Sequence, residues 1–294
     1  MRKLTEEAPV ALFALLVVGV LVLAVAVLLQ RAASVSDADV AWLAGAEVVP
    51  ADEACVYRAY LVRHRSRRVL GGLSGVALAV VLGVRWAGSV RIGLGEGSPL
   101  TDVLFCGLAG TVLGAFSAEA YRLRPVAAHP AVASLEPRPP VARPGVMRAG
   151  WGVVGAALLV GIVGWIATGS VAALVMGLAG AALVAVTAAT ERAVRGRRRI
   201  VTEPRVMAVD ARLREFAGEV VAWLALASAI LAAGWVCALL PWDGAVAGWV
   251  GLGTACASLV GTVLALRRAS PRPRRGRVAV RLAARPAVGS GPST

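Results

Sequence analysis

The feature that most constrains the fold of this chain is the stretch 149–190, which runs for 42 residues without a single Asp, Glu, Lys, Arg or His. One helix of this length would be about 60 Å long, roughly twice the thickness of the hydrocarbon core of a bilayer. A short polar break, Thr168-Gly169-Ser170, lies at its midpoint and contains a glycine that can end a helix. The stretch therefore predicts two transmembrane helices joined by a tight turn.

Arginines flank this predicted hairpin on both sides. Arg148 precedes it, and five more follow it: Arg192, Arg195, Arg197, Arg198 and Arg199. Because the cytoplasmic loops of membrane proteins carry an excess of Lys and Arg, both ends of the hairpin are expected on the cytoplasmic face.

Composition extends the membrane interpretation to the whole chain. The 294 residues are 58% hydrophobic and only 16% charged, whereas a soluble domain carries about 25% charged residues. The net charge is +14, but the arginines lie in the gaps between apolar segments rather than along one soluble basic face. This pattern indicates attraction to anionic lipid headgroups and argues against nucleic acid as a partner.

Seven apolar segments are long enough to cross a bilayer as helices: 10–29, 69–84, 99–118, 149–168, 171–190, 220–240 and 245–266. On one side of the membrane, 27 arginines fall in the segments 31–68, 119–148, 191–219 and 267–294. The other side holds four basic residues: Arg2, Lys3, Arg85 and Arg91. This asymmetry predicts an all-α, polytopic protein of the plasma membrane, with its N-terminus outside and its C-terminus in the cytoplasm.

The charge pattern divides the chain into four parts. Residues 1–30 form an N-terminal tail and the first transmembrane helix, and 31–68 form a cytoplasmic segment with an amphipathic helix. Residues 69–266 form a bundle of six transmembrane helices arranged as three hairpins, and 267–294 form a basic cytoplasmic tail predicted to be disordered.

Two amphipathic helices are predicted on the cytoplasmic side. Pro50 can open the first, whose apolar face would consist of Val56, Tyr57, Tyr60, Leu61 and His64. The alternative for this segment is a solvated connector, and the sequence leaves both open. The second helix would lie on the inner membrane surface through Val206, Val209, Leu213 and Phe216.

Small residues suggest how the spans pack and whether they repeat. The spacing of Gly110 and Gly114 allows two helices to approach closely, more simply inside the bundle than in a dimer interface. A two-helix repeat is suggested because Arg68, Gly72 and Gly75 match a second set: Arg148, Gly152 and Gly155. Chance matches are easy in a chain rich in Ala, Gly, Val and Leu, so the repeat stays open.

The polar residues near the spans supply no recognisable chemistry. Gly72-Leu73-Ser74-Gly75 resembles the nucleophile motif of rhomboid intramembrane proteases, but the two histidines, His64 and His129, lie in predicted cytoplasmic segments and offer Ser74 no base. Glu119 can pair with Arg122 at the membrane edge. We therefore expect no catalytic, cofactor-binding or metal-binding residues, and a protein that is not an enzyme.

The four cysteines have no metal-ligand spacing and are predicted to be small buried residues. Cys106 and Cys237 both fall in the outer halves of their helices, so a disulfide between them is left open. Contacts with anionic lipid headgroups are expected from two arginine runs: Arg197, Arg198 and Arg199, and Arg272, Arg274 and Arg275.

The segments 57–68, 118–122 and 208–214 carry a resemblance to the uncharacterised multi-pass membrane proteins of GC-rich actinobacteria. The resemblance implies a polytopic helical fold and no established activity. The leading hypothesis is a non-catalytic scaffold or accessory subunit. The alternative is a permease-like subunit that moves apolar or lipid-like cargo with a separate ATPase, which would dock on the helix around Leu213.

Overall fold

The structure, a computed structural model, describes residues 34–46, 48–85, 99–120, 143–169, 171–196, 204–240 and 245–270, together with Val27, Gln30 and Arg31. The elements in these ranges are seven helices: α1 (Asp37–Ala44), α2 (Ala51–Arg85), α3 (Pro99–Ala120), α4 (Pro144–Thr168), α5 (Ala172–Gly196), α6 (Pro204–Ala238) and α7 (Ala245–Arg268). The predicted all-helical class is therefore confirmed for the described part of the chain.

Four helices are long and apolar enough to cross a membrane, over Pro144–Thr168, Ala172–Arg192, Met207–Ala238 and Gly248–Arg268. A shorter apolar helix covers Val103–Glu119. Residues 69–84 form the second half of α2, while the predicted span at 10–29 lies outside the described residues except for Val27. The membrane class is shown by these helices, and the number of seven spans stays a prediction.

The helix α6 lies at the centre of the assembly. It packs against α1, α3, α4, α5 and α7, and 67% of its most apolar stretch is buried, against 28% for α4 and for α7. The outer helices expose large apolar side chains such as Leu159, Ile166 and Trp249, at 66%, 74% and 73% exposure. Exposed apolar surface of this extent is typical of helices that face lipid rather than water.

Helices α2 and α3 approach so closely that only glycine fits between them. A Cβ atom at Gly71 would overlap the carbonyl oxygen of Gly110, and one at Gly75 would overlap the carbonyl oxygen of Cys106. A Cβ at Gly114 would likewise overlap the carbonyl oxygen of Arg67. Gly110 and Gly114 therefore serve packing inside the bundle, as their spacing predicted.

In the suggested repeat, Gly152 and Gly155 of α4 match Gly72 and Gly75 of α2, but their surroundings differ. A Cβ built at Gly152 or Gly155 of α4 meets no heavy atom within 4 Å, whereas Gly72 and Gly75 of α2 face α3 directly. The turn after α4 does follow the prediction, because Gly169 ends that helix with a left-handed backbone (φ 70°). The sequence match between the hairpins thus does not extend to their glycine packing.

The described parts of the four arginine-rich segments lie together at one end of the bundle. Tyr60 of the first segment bonds to Glu119 of the second, and Arg68 of the first bonds to the carbonyl oxygen of Ala269 in the fourth. Arg143 of the second segment pairs with Glu219 of the third. Their common location is what the charge asymmetry predicted for segments on one face of a membrane.

The glycine contact predicts a large difference between two chemically identical substitutions. Gly75→Ala should destabilise the protein by about 1–3 kcal/mol, because the new methyl group must push α2 away from α3. Gly155→Ala, at the matching position of α4, should be neutral or stabilising by up to about 1 kcal/mol, because it adds a better helix former in open space.

Thermal unfolding of the two purified variants in the same detergent would measure this difference. Equal shifts of the unfolding midpoint would contradict the close approach of α2 and α3.

Candidate functional site

The arginine-rich end of the bundle carries a small helical unit, which we call the head. It consists of α1, residues 51–68 of α2 and residues 204–219 of α6, since both long helices contain 35 residues and continue beyond their apolar halves. Its core is a cluster of buried side chains: Val40, Leu43, Tyr57, Tyr60, Leu61, Val209 and Leu213.

Local sequence signals set the ends of the short helix α1. The Ser36 side chain accepts a hydrogen bond from the backbone N–H of Asp39, and the Asp39 carboxylate accepts one from the backbone N–H of Ser36. This reciprocal cap starts the helix. Gly45 ends it in a left-handed conformation (φ 69°), and its N–H donates to the carbonyl of Ala41.

The predicted apolar face of α2 is largely confirmed. Tyr57, Tyr60, Leu61 and His64 are at most 3% exposed, which excludes the solvated connector, whereas Val56 is 49% exposed and was assigned to this face wrongly. Burial raises the pKa of the Tyr57 hydroxyl, the Glu53 carboxylate raises it further, and Arg212 acts in the opposite direction.

The second amphipathic helix packs differently from the prediction. Val209 and Leu213 are 8% and 5% exposed and belong to the core of the head, so this helix does not lie on the membrane surface through them. The reason is that α6 runs without interruption from Pro204 to Ala238 and faces α1 and α2 there. The Phe216 ring meets the rings of Trp42 and Tyr60 edge-on, at centroid distances of 5.6 and 6.0 Å.

A buried polar cluster lies where the head joins the bundle. The Tyr60 hydroxyl donates to Oε1 of Glu119 at 2.5 Å, and Nε2 of His64 lies 3.5 Å from the same oxygen. The side chains of His64 and Glu119 are fully buried. Tyr60 and His64 are four residues apart on α2, so one helix face presents both groups to the end of α3.

Arg68 extends this polar face by one further turn. Its guanidinium donates through Nη1 to the carbonyl oxygen of Ala269 and through Nη2 to that of Leu266, both at 2.8 Å. These carbonyls close the C-terminal turn of α7, which lacks intrahelical donors for them. Arg68 therefore caps α7 and attaches it to α2.

Other arginines fasten the parts of the head to each other. Arg65 donates to the carbonyl of Ser34 at 2.8 Å and pairs with Asp39 at 3.0 Å. Arg212 of α6 donates to the carbonyl of Leu43 at 3.1 Å. The contacts of Arg65 and Arg212 thus join α1 to α2 and to α6.

The rhomboid-like motif and the metal-ligating residue types can be compared with the described geometry. Ser74 is exposed on α2 and lies ten residues beyond His64, about 15 Å along the helix axis, so the two side chains do not form a nucleophile and base. Among the described residues, no three His, Cys, Asp or Glu side chains group closely enough to hold a metal ion. The hydrogen bonds of Tyr60 and Arg68 at the cluster join α2 to α3 and to α7.

Sequence reasoning missed this cluster because it treated Glu119 as a local partner of Arg122, a residue that lies outside the described part of the chain. The signal was present in the spacing of Tyr60, His64 and Arg68, one helical turn apart. That face continues directly into Gly71 and Gly75, the residues that contact α3.

The remaining predictions concern two runs of arginines and the four cysteines. The arginines expected to contact lipid, namely Arg197, Arg198, Arg199, Arg272, Arg274 and Arg275, lie outside the described residues. Cys106 and Cys237 are both partly buried, and the described residues contain no disulfide. The prediction that the cysteines are buried is wrong for Cys55 and Cys256, which are exposed.

Comparisons of this chain with protein-family models, with curated proteins and with solved structures give no match. The class of protein is therefore defined by its own features, which are an all-helical fold and four helices suited to cross a membrane. These features identify a membrane protein and leave its activity to be argued from the site.

The hydrogen bond between Tyr60 and Glu119 predicts that Tyr60→Phe destabilises the protein by about 1–3 kcal/mol, because a buried carboxylate loses a donor. Tyr57→Phe is a matched control, since Tyr57 is equally buried in the same cluster but no hydrogen bond of its hydroxyl is found within the described residues.

Chemical or thermal unfolding of both variants would measure the difference. If the two substitutions cost the same, the bond to Glu119 contributes nothing beyond burial of the ring.

Proposed function

We propose that this chain is a plasma-membrane protein of seven spans, with its N-terminus outside, that serves as a non-catalytic scaffold or accessory subunit. In this proposal the bundle anchors the protein, and the head projects into the cytoplasm, where it presents a fixed surface to a partner protein. The observation that carries the proposal is that the polar groups at the junction of head and bundle hold helices together.

Hydroxyl groups within the membrane-like helices support the same conclusion. Ser228, Ser258 and Thr262 are buried, and each donates to a backbone carbonyl of its own helix, at 2.7–2.8 Å. Thr187 does the same in α5. Hydroxyls satisfied in this way add no ligand groups to a pathway, which favours packing as their role.

The transport alternative loses its suggested docking element. Leu213 is 5% exposed and packs inside the head, so it does not offer an exposed contact to a separate ATPase. A permease-like role would need another surface for such a partner.

Cysteine-accessibility labelling tests the topology. In a variant whose Cys55, Cys106, Cys237 and Cys256 are replaced by Ala, single cysteines introduced by Gly169→Cys and Asp243→Cys should react with an impermeant reagent on intact cells. Cysteines introduced by Arg198→Cys and Ser290→Cys should react only after permeabilisation, because the arginine-rich segments stay in the cytoplasm. Labelling of the last two positions on intact cells would reverse the orientation.

Purification of the full chain under gentle extraction tests the role. A scaffold should retain a membrane partner in a fixed stoichiometry without nucleotide hydrolysis in the purified complex. A stoichiometric ATPase, together with ATP-dependent movement of a lipid probe in reconstituted vesicles, would contradict the scaffold and establish the transport alternative.

A further inference from the structure

The arginines at the described end of the bundle fall into two groups. In the first group, several arginines of the head and junction contact protein acceptors, as Arg65 does with Asp39, Arg68 with two carbonyls and Arg143 with Glu219. The second group is exposed and includes Arg67 of the head. Arg267 and Arg268 at the end of α7 are exposed and have no ion-pair or hydrogen-bond acceptor for their side chains among the described residues. Their two charges are left for a ligand outside the protein.

The position of this pair along α7 indicates the kind of ligand. Val260, Val263 and Leu264 lie one to two turns earlier, and they are 58%, 37% and 55% exposed. Residues three or four apart share a helix face, so the two arginine positions lie about one turn, or 5.4 Å along the helix, beyond apolar positions of the same surface. An apolar surface that ends in two cations matches the acyl chains and the phosphate of a phospholipid.

The site also has a fixed platform. The guanidinium carbon of Arg268 lies 5.4 Å from the centroid of the Trp223 ring of α6. Trp223 packs against a buried cluster of the bundle that includes Val112, Phe116 and Leu266, and these contacts position the ring. A guanidinium held over an aromatic face keeps N–H groups around its edge, where a phosphate oxygen can accept them.

Arg68 leaves the side chains of Arg267 and Arg268 available to a ligand outside the protein. Arginines in the last turn of a helix often donate to its terminal carbonyls. Here the carbonyls of Leu266 and Ala269 already accept hydrogen bonds from Arg68, so Arg267 and Arg268 are not needed as caps. The end of α7 is fixed from inside while its two arginines face outward.

We propose that Arg267 and Arg268, with the ring of Trp223, form a binding site for the phosphodiester headgroup of an anionic phospholipid. The proposal rests on the membrane insertion argued above. It names a site separate from the arginine runs expected from the sequence to contact lipid, and it assigns the larger share of the binding to Arg268, which has the aromatic platform.

The full-length protein, stripped of lipid in mild detergent, is titrated with short-chain phosphatidylglycerol or phosphatidylcholine, and bound lipid is counted by native mass spectrometry. The wild type should bind phosphatidylglycerol more tightly than phosphatidylcholine. Arg268→Gln should weaken phosphatidylglycerol binding by about five-fold and the double variant Arg267→Gln/Arg268→Gln by about twenty-fold, from the interaction of one arginine with an anionic surface. Phosphatidylcholine, whose choline cation offsets the charge of its phosphodiester, should lose less affinity than phosphatidylglycerol in both variants.

Arg58→Gln is the matched control, because Arg58 is a half-exposed arginine of the head that pairs with Asp37 and lies ten residues from Arg68 along α2. A loss of lipid selectivity in this control as large as in Arg268→Gln would overturn the site. Equal losses in the single variants Arg267→Gln and Arg268→Gln would overturn the role of Trp223. Binding of soluble glycerol phosphate with the same dependence on Arg268 would show a free-phosphate site instead.

Failure of this proposal is distinguishable from failure of membrane insertion. Release of the wild-type protein from membranes by alkaline carbonate would refute insertion, whereas an integral protein without selectivity for phosphatidylglycerol would refute only the lipid site.

Discussion

The close contact between α2 and α3 is the constraint on which the rest of the described structure depends. Gly71 and Gly75 on one helix meet Gly110 and the backbone at Cys106 on the other, with no side chains between them. Backbones at this separation have one acceptable antiparallel register, because a shift of one residue would bring a Cβ atom into the other chain. The same register continues past Gly114 and brings Glu119 to Tyr60 and His64. A steric contact among glycines thus decides which polar groups meet a few turns away.

The polar cluster then fixes the head on the bundle. Burying a carboxylate, an imidazole and a guanidinium is costly, and apolar packing of similar volume is often at least as stable. What the polar groups add is a requirement for one geometry, since Arg68 reaches its two carbonyl acceptors only when the C-terminal end of α7 lies level with the middle of α2. The flexible ammonium of lysine would not span two acceptors with the same planar geometry. In the scaffold proposed above, this geometry would give the head one fixed orientation toward a partner.

The sequence predicted the parts of this structure that follow from patterns along one helix. The uncharged stretches predicted α4 and α5 with the turn at Gly169. The spacing of apolar residues predicted the buried face of Tyr57, Tyr60 and Leu61. It missed contacts that depend on which helices are neighbours. The apolar face around Leu213 has the same sequence pattern whether it contacts lipid or protein. For Glu119, the sequence does not distinguish a local partner from a distant one. Gly155 and Gly75 are alike in sequence, and only the position of α3 makes one of them indispensable.

Arginine has two separate roles at this end of the molecule, and burial distinguishes them. Arg65 and Arg68, at 6% and 9% exposure, donate to backbone carbonyls, and Arg65 also pairs with Asp39. A change of lipid would leave these partners unchanged. Arg267 and Arg268 lie on the perimeter, where the surface changes from apolar to charged. The arginine counts that predict topology include both groups, although Arg65 and Arg68 would be needed to hold the helices together in any environment. In the lipid site proposed above, the perimeter arginines are the ones whose charge would act on the membrane.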